Sequence, residues 1–528
     1  MRRIEAGWAA GIACEWAFLV VLLVVAYDAG GATAVGVLGA VAVTPAIFAA
    51  PFAMTLVERY RGDRVLTAIN VVRALVAVAT AVVIAADLPV EVTFVLAAIV
   101  AGVGSLVRPI QTALLPALAR TPAELVAANV AASTGEGLGT FVGPLVAGVL
   151  VASTGSVPAS VLVAAGFAAA AAAMTGVKFE READARGGRT GGGARFPLGE
   201  MSRVLRRYPG ATLVTADFVV QVLVRGLLTT LIVVASIELL EMGKAGVGLL
   251  NAMLGLGGLL GALGALFLVG ASGLTSVFTL ALVGWGLPLV LIGVVPTALV
   301  AVAALVITGV SNAVLDVAGF TLMQRGVRTE DRVTAFAAFE VLIGIAMLCG
   351  SLLAPVLVSL FGTRAALIAG GSLLPVLAVA TRRPIARHSH IGALTSEMAQ
   401  LFRSSPLFAP LPLTALDRLA ENVTPRSFEA GEVIMRKGEP GEYYLLIAEG
   451  SVEVRDNERR LRTCGRGDGV GEIALLRSVP RTATVVAQTH VEGFEIDAPT
   501  FLAAIAGPAA MAVAEVVAAE RLAYSGVR

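Results

Sequence analysis

Apolar runs of about twenty residues follow one another between Gly7 and Thr381 and dominate this chain. A helix of about twenty apolar residues is long enough to cross the hydrocarbon core of a bilayer. We count about twelve such runs, so the sequence predicts a polytopic α-helical membrane protein. The approximate cores of the runs are 7–27, 33–56, 65–86, 91–113, 127–152, 157–176, 211–237, 246–269, 274–295, 298–322, 335–360 and 364–381.

The composition agrees with this reading and argues against several classes of function. Hydrophobic residues make up 57% of the chain and charged residues 15%, whereas soluble proteins carry roughly 25% charged residues. The net charge of +1 gives no basic excess for a nucleic-acid partner. The three cysteines, Cys14, Cys349 and Cys464, are far apart, so we expect neither a metal site nor a disulfide framework. No nucleophile triad or kinase motif is present, and we expect no enzymatic activity.

The basic residues of the loops predict the orientation of the chain. Lys and Arg are concentrated before the first run and after the second, fourth, sixth, tenth and twelfth runs. Positive loops stay on the cytoplasmic side, so both termini are expected there. The glycine-rich stretch DARGGRTGGGARFP divides the runs into six plus six. We predict one half at 1–176, a basic linker at 177–209, a second half at 210–381, a further linker at 382–404 and a tail domain at 405–528.

The two halves show a weak internal repeat. SLVRPIQTALLPALART (105–121) can be aligned with AVLDVAGFTLMQRGVRT (313–329), which places Arg108 opposite Asp316. Repeated six-span halves are typical of transporters. The stretch PIQTALLPALARTPAELVAANVAASTGEGLGTFVGPLVAG (109–148) also contains G-x-x-x-G-P-x-x-x-G, which allows close helix packing and a bend at Pro144.

These residues resemble the exporter-type members of the major facilitator superfamily, and the motif resembles that of their proton antiporters. The resemblance implies a secondary active transporter, with an exporter and proton coupling as finer expectations. It also implies an amphiphilic substrate, drug-like or lipid-like, besides contact with membrane lipid. A non-transporting receptor and a lipid scramblase-like conduit stay open as alternatives.

Several ionisable residues fall inside the predicted spans, where charge is costly and usually faces a cavity or a partner. At about 1.5 Å per helical residue, four of them are expected near the midplane, on spans that line the central cavity of the resembling family: Glu15, Arg108, Asp217 and Asp316. Arg225 follows one to two turns farther along the seventh span. Two interpretations stay open: Arg108 and Asp316 pair across the halves, or at least one carboxylate carries a proton during transport. Glu136 is a further candidate, for which a structural ion pair or hydrogen bond, as for Arg73 and Glu340, is the favoured interpretation.

The tail has a different character, with short glycine-punctuated strands that predict a small β jelly roll followed by helices. Its segment GEIALLRSVPRTATV (471–485) carries the chemistry of an anion site. Backbone N–H groups at a helix start and the Arg481 guanidinium favour an anion, and Glu472 can accept a hydroxyl proton. Ala483 leaves room for the backbone, Thr482 offers a hydroxyl, and Val485 and Val454 are apolar walls. The candidate ligand-binding residues are Gly471, Glu472, Ile473, Ala474, Arg481, Thr482, Ala483 and Val485.

From about Leu407 to Tyr524 the tail is similar to the cyclic nucleotide-binding domain of bacterial regulators, kinases and channels. The resemblance implies cyclic AMP as the ligand, with cyclic GMP as the alternative, and no other cofactor. A nucleotide-free dimerisation module of the same fold is the competing interpretation, and a homodimer is a further expectation. Together the two resemblances predict a bacterial inner-membrane transporter whose activity a cytoplasmic cyclic nucleotide regulates.

Overall fold

The computed structural model forms two compact units, Met1–Ser389 and His390–Arg528. It describes residues 2–59, 62–107, 110, 122–175, 198–265, 274–328, 331–411, 416, 419–420, 423–457, 459–505 and 508–525. Arg108 and most of the repeat segment 105–121 lie outside these ranges, as does the glycine-rich stretch that divides the predicted halves.

The first unit is entirely helical in its described residues. Its helices are α1 Arg2–Arg59, α2 Gly62–Ala85, α3 Val90–Gly104, α4 Pro122–Thr154, α5 Ser156–Met174, α6 Leu198–Arg207, α7 Pro209–Val234, α8 Gly243–Ala265, α9 Leu274–Val294, α10 Ala298–Gly326 and α11 Arg332–Ser404, the last of which continues into the second unit. A π-helical turn, Ala235–Leu239, extends α7.

Two of these helices are interrupted by a glycine with positive φ. Gly31 has φ 57° in α1, and Gly362 has φ 79° in α11, so each helix contains two of the predicted spans. Within the described residues, nine helices are long and apolar enough to cross a membrane, and α3 is a shorter apolar helix. The polytopic helical fold is therefore confirmed, and the exact number of twelve spans stays a prediction.

Glycines bring the helices of the two predicted halves into close contact. A Cβ added at Gly248 of α8 would lie 2.5 Å from the Gly148 Cα of α4, and one at Gly309 of α10 would lie 2.9 Å from the Gly257 Cα of α8. A side chain at these positions would force the backbones apart. Helix α8 is thus held between α4 and α10 by the small-residue contacts that are common between helices in lipid.

The predicted linker 177–209 is helical where the structure describes it. Helix α6 is amphipathic, with Met201 buried and Val204 packed against a small cluster that includes Ala211. The Tyr208 hydroxyl after it donates a 2.7 Å hydrogen bond to Asp331. This apolar face and its anchor give residues 198–207 a defined structure, which differs from the predicted linker.

The predicted linker 382–404 is also helical, because α11 continues to Ser404. Met398, Leu401 and Phe402 follow the spacing of one helix face and pack in the core of the second unit. The sequence reading missed this apolar face and therefore placed the start of the tail domain too late.

The second unit is a β sandwich followed by helices, which confirms the predicted jelly-roll class. One sheet has the order β1-β8-β3-β6 and the other β2-β7-β4-β5, with antiparallel pairing throughout. The strands are β1 Val423–Phe428, β2 Val433–Met435, β3 Tyr443–Glu449, β4 Val452–Asp456, β5 Arg459–Cys464, β6 Gly469–Val470, β7 Thr484–Ala487 and β8 Val491–Asp497. Helix α12, Glu472–Arg477, lies between β6 and β7, and α13, Ala498–Ile505, and α14, Pro508–Ser525, end the described chain.

Strand β3 connects the two apolar clusters of this unit through the alternation of its side chains. Tyr444 and Leu446 belong to the cluster that contains Phe402, Phe408 and Phe501. Leu445 and Ile447 belong to the cluster formed with the strands of the other sheet. Because successive side chains of a strand point to opposite faces, β3 contributes residues to both clusters. The segment 471–485 follows β6, which pairs with β3.

Candidate nucleotide-binding site

The segment 471–485 begins with a turn that only glycine accommodates easily. Gly471 has φ 98°, and a Cβ there would contact the Arg481 guanidinium and lie 3.1 Å from the Tyr443 carbonyl oxygen. Helix α12 starts at the next residue. Gly441 similarly allows the loop before β3 to approach Ala474, since a Cβ on Gly441 would lie 2.6 Å from the Ala474 Cβ.

Arg481 is a buried cation that the backbone holds in place. Its side chain is 5% exposed. It donates hydrogen bonds to the carbonyl oxygens of Gly471, at 2.9 Å, and Tyr443, at 2.7 Å, and its guanidinium carbon lies 5.0 Å from the centre of the Tyr443 ring. Burial lowers the pKa of Arg481, although an arginine stays charged at physiological pH. A fixed guanidinium with further N–H groups is well suited to hold an anion.

Glu472 is a buried carboxylate at the same site, and it has a partner on the last helix. Arg521 Nη1 of α14 lies 2.7 Å from Glu472 Oε1 and donates a 3.0 Å hydrogen bond to the Gly469 carbonyl oxygen. Burial acts to lower the pKa of Arg521, but the charge and hydrogen bond of Glu472 outweigh it, and the pKa is raised. The second oxygen, Glu472 Oε2, is buried and has no hydrogen-bond partner in the part of the chain that the structure describes, so it is available to a donor from a ligand.

All eight residues predicted for the ligand site line one pocket. Its polar lining includes Glu472, Arg481 and Thr482, and Gly471 also lines it. Its aliphatic lining includes Val485 and Val454, both as predicted. The pocket thus combines a carboxylate, a guanidinium and a hydroxyl with aliphatic groups, which suits a ligand with a charged sugar-phosphate and a flat apolar base.

The sequence reading missed five residues that also line this pocket: Met435, Leu461, Arg462, Val470 and Arg521. Arg521 left a signal, because it is the only basic residue of helix α14. Val470 directly precedes the predicted segment, and the other three come from strands β2 and β5, which only strand pairing brings to the site.

Two family models match the chain. The model for the Major Facilitator Superfamily matches residues 8–274, which is half of the chain. The chain belongs to the major facilitator superfamily. The model for the cyclic nucleotide-binding domain matches residues 425–507, so this superfamily member is fused to a C-terminal cyclic nucleotide-binding domain, as the sequence predicted.

Several known proteins are similar to part of this chain. The cGMP-dependent protein kinase of Plasmodium berghei is 40% identical over 82 residues, which is 15% of this chain and 10% of the kinase. The cAMP-dependent protein kinase regulatory subunit of Debaryomyces hansenii is 31% identical over 107 residues, 20% of this chain and 24% of that protein. This chain therefore covers at most about a quarter of these relatives. The regulatory domain of Toxoplasma gondii PKA, crystallised with cAMP, is 29% identical, covering 21% of this chain and 44% of that one, with a TM-score of 0.20 over the whole chain.

In the membrane unit of this superfamily member, Glu15 pairs with Arg73. Arg73 Nη2 lies 2.8 Å from Glu15 Oε2, with side chains 2% and 39% exposed respectively. Arg73 also lies over the Phe167 ring, 5.7 Å from its centre. The favoured interpretation of Arg73 is an ion pair, and the structure shows one. Its partner, Glu15, is also one of the candidate proton carriers.

Asp217 is held by a residue at the predicted end of the twelfth span. Its side chain is fully buried, and Thr381 Oγ1 donates a 2.9 Å hydrogen bond to its Oδ2. Arg382 and Arg383, both exposed, follow Thr381 directly. The position of Asp217 near the midplane stays a prediction.

Asp316 belongs to a polar network of the second half. Asn312 Nδ2 donates a 3.0 Å hydrogen bond to Asp316 Oδ2, and Asn312 Oδ1 accepts hydrogen bonds from Gln221 at 3.3 Å and Trp285 at 3.1 Å. The sequence reading considered charges and therefore missed these neutral partners. Because Arg108 lies outside the described residues, its pairing with Asp316 stays a prediction.

The two remaining candidates lie in different surroundings. Arg225 is exposed on α7. Glu136, on α4, lines a cavity together with Glu15. The transport candidates are thus distributed over several environments.

Proposed function

We propose that the chain is a secondary active transporter whose activity is regulated by a cyclic nucleotide bound to its C-terminal domain. The observation that carries the nucleotide part is the presence of both Arg481 and Glu472 in one pocket, where Glu472 Oε2 is buried and has no hydrogen-bond partner among the described residues. Arg481 would hold the cyclic phosphate, since charge-assisted hydrogen bonds are strong in a partly buried site. Glu472 Oε2 would accept the ribose 2′-hydroxyl hydrogen.

Cyclic AMP is the nucleotide that we favour. The relative from Debaryomyces hansenii is named a cAMP-dependent regulatory subunit, whereas that from Plasmodium berghei is named a cGMP-dependent kinase. The Thr482 hydroxyl also permits a contact with guanine. Competition between the two nucleotides for a fluorescent cyclic AMP analogue on the purified full chain tests the choice. Tighter competition by cyclic GMP would reverse it, and competition by neither would favour the nucleotide-free dimerisation module.

The ion pair between Glu472 and Arg521 offers a route from the nucleotide to the last helix. A ribose hydroxyl on Glu472 Oε2 would share the carboxylate with Arg521, which α14 carries. Binding would therefore change how firmly α14 is held against the pocket. If α14 or a second copy of the domain contacts the transporter differently in its two states, nucleotide and transport are coupled reciprocally.

For the membrane unit we propose export of an amphiphile, coupled to protons, from the cytoplasm of a bacterial cell. The support is membership of the superfamily, the buried carboxylate Asp217 and the half-buried carboxylates Glu15 and Asp316. Both termini would lie in the cytoplasm, where the nucleotide is made. The halves at 1–176 and 210–381 and a homodimer are part of the same proposal.

Flux in proteoliposomes tests the transport proposal. The purified chain, reconstituted with an imposed proton gradient, should move a fluorescent lipophilic substrate faster than protein-free vesicles do. Flux that also occurs for fluorescent phospholipid without a gradient would favour the scramblase-like conduit. Intact nucleotide binding without any flux would favour the non-transporting receptor.

A further inference from the structure

A cavity of about 300 Å³ lies within the first half of the membrane unit, between α1, α3 and α4. Its wall is mostly aliphatic. The exceptions are two carboxylates, Glu15 and Glu136, two indole rings, Trp8 and Trp16, and the Phe18 ring. Cavities of about this size and apolar character, with a few polar groups, are typical of small-molecule sites.

One of the two carboxylates is already neutralised. Glu15 pairs at 2.8 Å with Arg73, whose side chain is 2% exposed. Gly104 makes room for this pair, because a Cβ there would lie 2.8 Å from Arg73 Nη2 and 3.0 Å from Glu15 Oε1. The pair therefore adds a dipole but no net charge to the wall of the cavity.

The other carboxylate, Glu136, has no such partner among the described residues. Glu136 is exposed, and in the part of the chain that the structure describes it forms no ion pair or side-chain hydrogen bond. The described wall thus carries one uncompensated negative charge beside apolar groups. An ionised group in such a place requires a counter-charge.

The two indole rings favour the same kind of ligand. Trp8 and Trp16 lie on consecutive parts of α1, and the face of an indole attracts organic cations more strongly than other aromatic side chains do. Quaternary and tertiary ammonium groups combine low hydration with an apolar surface, so they satisfy both the carboxylate and the aliphatic wall. An anion of the same size would be repelled by Glu136.

We propose that this cavity binds a monovalent organic cation with an apolar body, the charge opposite Glu136 and the body against Trp8, Trp16 and the aliphatic wall. The proposal deepens the proposed transport function by naming the class of its substrate. The binding proposal can be tested separately from transport, because binding is measured without any flux.

The test uses the full chain in detergent and radiolabelled tetraphenylphosphonium as the probe, with tetraphenylborate as the anion of matched shape. We expect saturable binding of the cation and at least about tenfold weaker binding of the anion, because the Glu136 carboxylate attracts the cation and repels the anion. Glu136→Gln should weaken cation binding about tenfold or more. The matched control is Glu91→Gln, which removes an exposed carboxylate of α3 that does not line the cavity.

Substitution of Trp16 separates an aromatic contribution from a change in shape. Trp16→Phe keeps an aromatic face and should cost less binding than Trp16→Leu. Cyclic nucleotide binding by each variant serves as the control for folding. Equal binding of the cation by Glu136→Gln and the parent, or tighter binding of the anion, would overturn the proposal; the second result would also indicate that Arg108, next to the cavity residue Val107, supplies a positive charge.

The two proposals fail in different ways. Cation binding that depends on Glu136, without flux in proteoliposomes, would leave the cavity assignment intact and remove the transport function. Proton-driven flux of another compound, without cation binding, would do the opposite.

Discussion

The nucleotide pocket and the buried charges of the membrane unit differ in how the sequence determines them. The eight residues predicted for the pocket fall within 471–485 and meet in one place, because a tight turn at Gly471 and a short helix fix their positions locally. The charged residues of the membrane unit come from different helices. Their neighbours depend on helix packing, which brings Glu15 to Arg73 and Asp217 to Thr381. A local segment can be read from sequence, whereas contacts between helices cannot.

The largest effect that we predict concerns the ion pair that connects the pocket to α14. Arg521→Leu leaves the Glu472 carboxylate buried, at 3% exposure, without its partner. Removing one member of a buried pair costs about 3–5 kcal/mol, so the free energy of unfolding of the segment 390–528 should fall by about that amount in urea denaturation. The double variant Glu472→Gln with Arg521→Leu should recover part of the loss. Equal stability of the single variant and the parent would show that this contact is unimportant for the tail.

The next effect concerns binding at the pocket. Arg481→Ala removes the guanidinium proposed to hold the phosphate, and cyclic AMP affinity should fall by about 1.5–3 kcal/mol, the value of a hydrogen bond to a charged group. Calorimetry on the full chain measures the change. Arg477→Ala is the matched control, because Arg477 is exposed and lies at the end of α12, four residues before Arg481. The assignment of the pocket fails if both variants bind as the parent does.

The pocket also shows which features of the fold and of the site could be predicted from sequence. The type and order of the residues in 471–485 predicted the pocket and its acid and base, and the glycine and apolar patterns predicted both fold classes. The partner of Glu472 could not be predicted, because Arg521 is 49 residues away in the chain and only the packing of α14 brings it there. The same reason explains the missed helical anchor at Leu401 and Phe402.

A smaller effect is expected for the close packing of α4 against α8 in the membrane unit. Gly248→Ala places a Cβ against the Pro144 carbonyl oxygen and 2.5 Å from the Gly148 Cα, and overpacking of this kind costs about 1–3 kcal/mol. The melting temperature in detergent should fall. Gly258→Ala on the same helix is the control, because a Cβ there meets nothing within 4 Å. If both variants melt alike, the close approach of α4 and α8 does not limit stability.

The smallest effect concerns two exposed contacts that join the halves at the end opposite the basic loops. Lys244 Nζ lies 2.7 Å from Asp28 Oδ2, and the Tyr27 hydroxyl donates to Glu238 at 2.5 Å. An exposed pair contributes about 0.2–1 kcal/mol. Lys244→Gln should therefore leave the melting temperature almost unchanged in differential scanning fluorimetry. The same substitution should favour separation of the two halves at the end where Lys244 contacts Asp28. A fall of many degrees would mean that the pair is a structural support.

The central claim is that nucleotide binding to the tail regulates the transporter. The most direct test of this claim uses the contact between Asp28 and Lys244. Asp28→Cys with Lys244→Cys, in a chain that carries Cys349→Ser, can be joined by a short bifunctional thiol reagent that keeps this end closed. Allosteric coupling is typically about 1–3 kcal/mol. Cyclic AMP affinity should therefore differ several-fold between the joined and unjoined protein, and the double serine variant treated with the same reagent should show no difference. Identical affinity in the joined and unjoined protein, together with flux that saturating cyclic AMP does not change, would contradict regulation of the transporter by its tail.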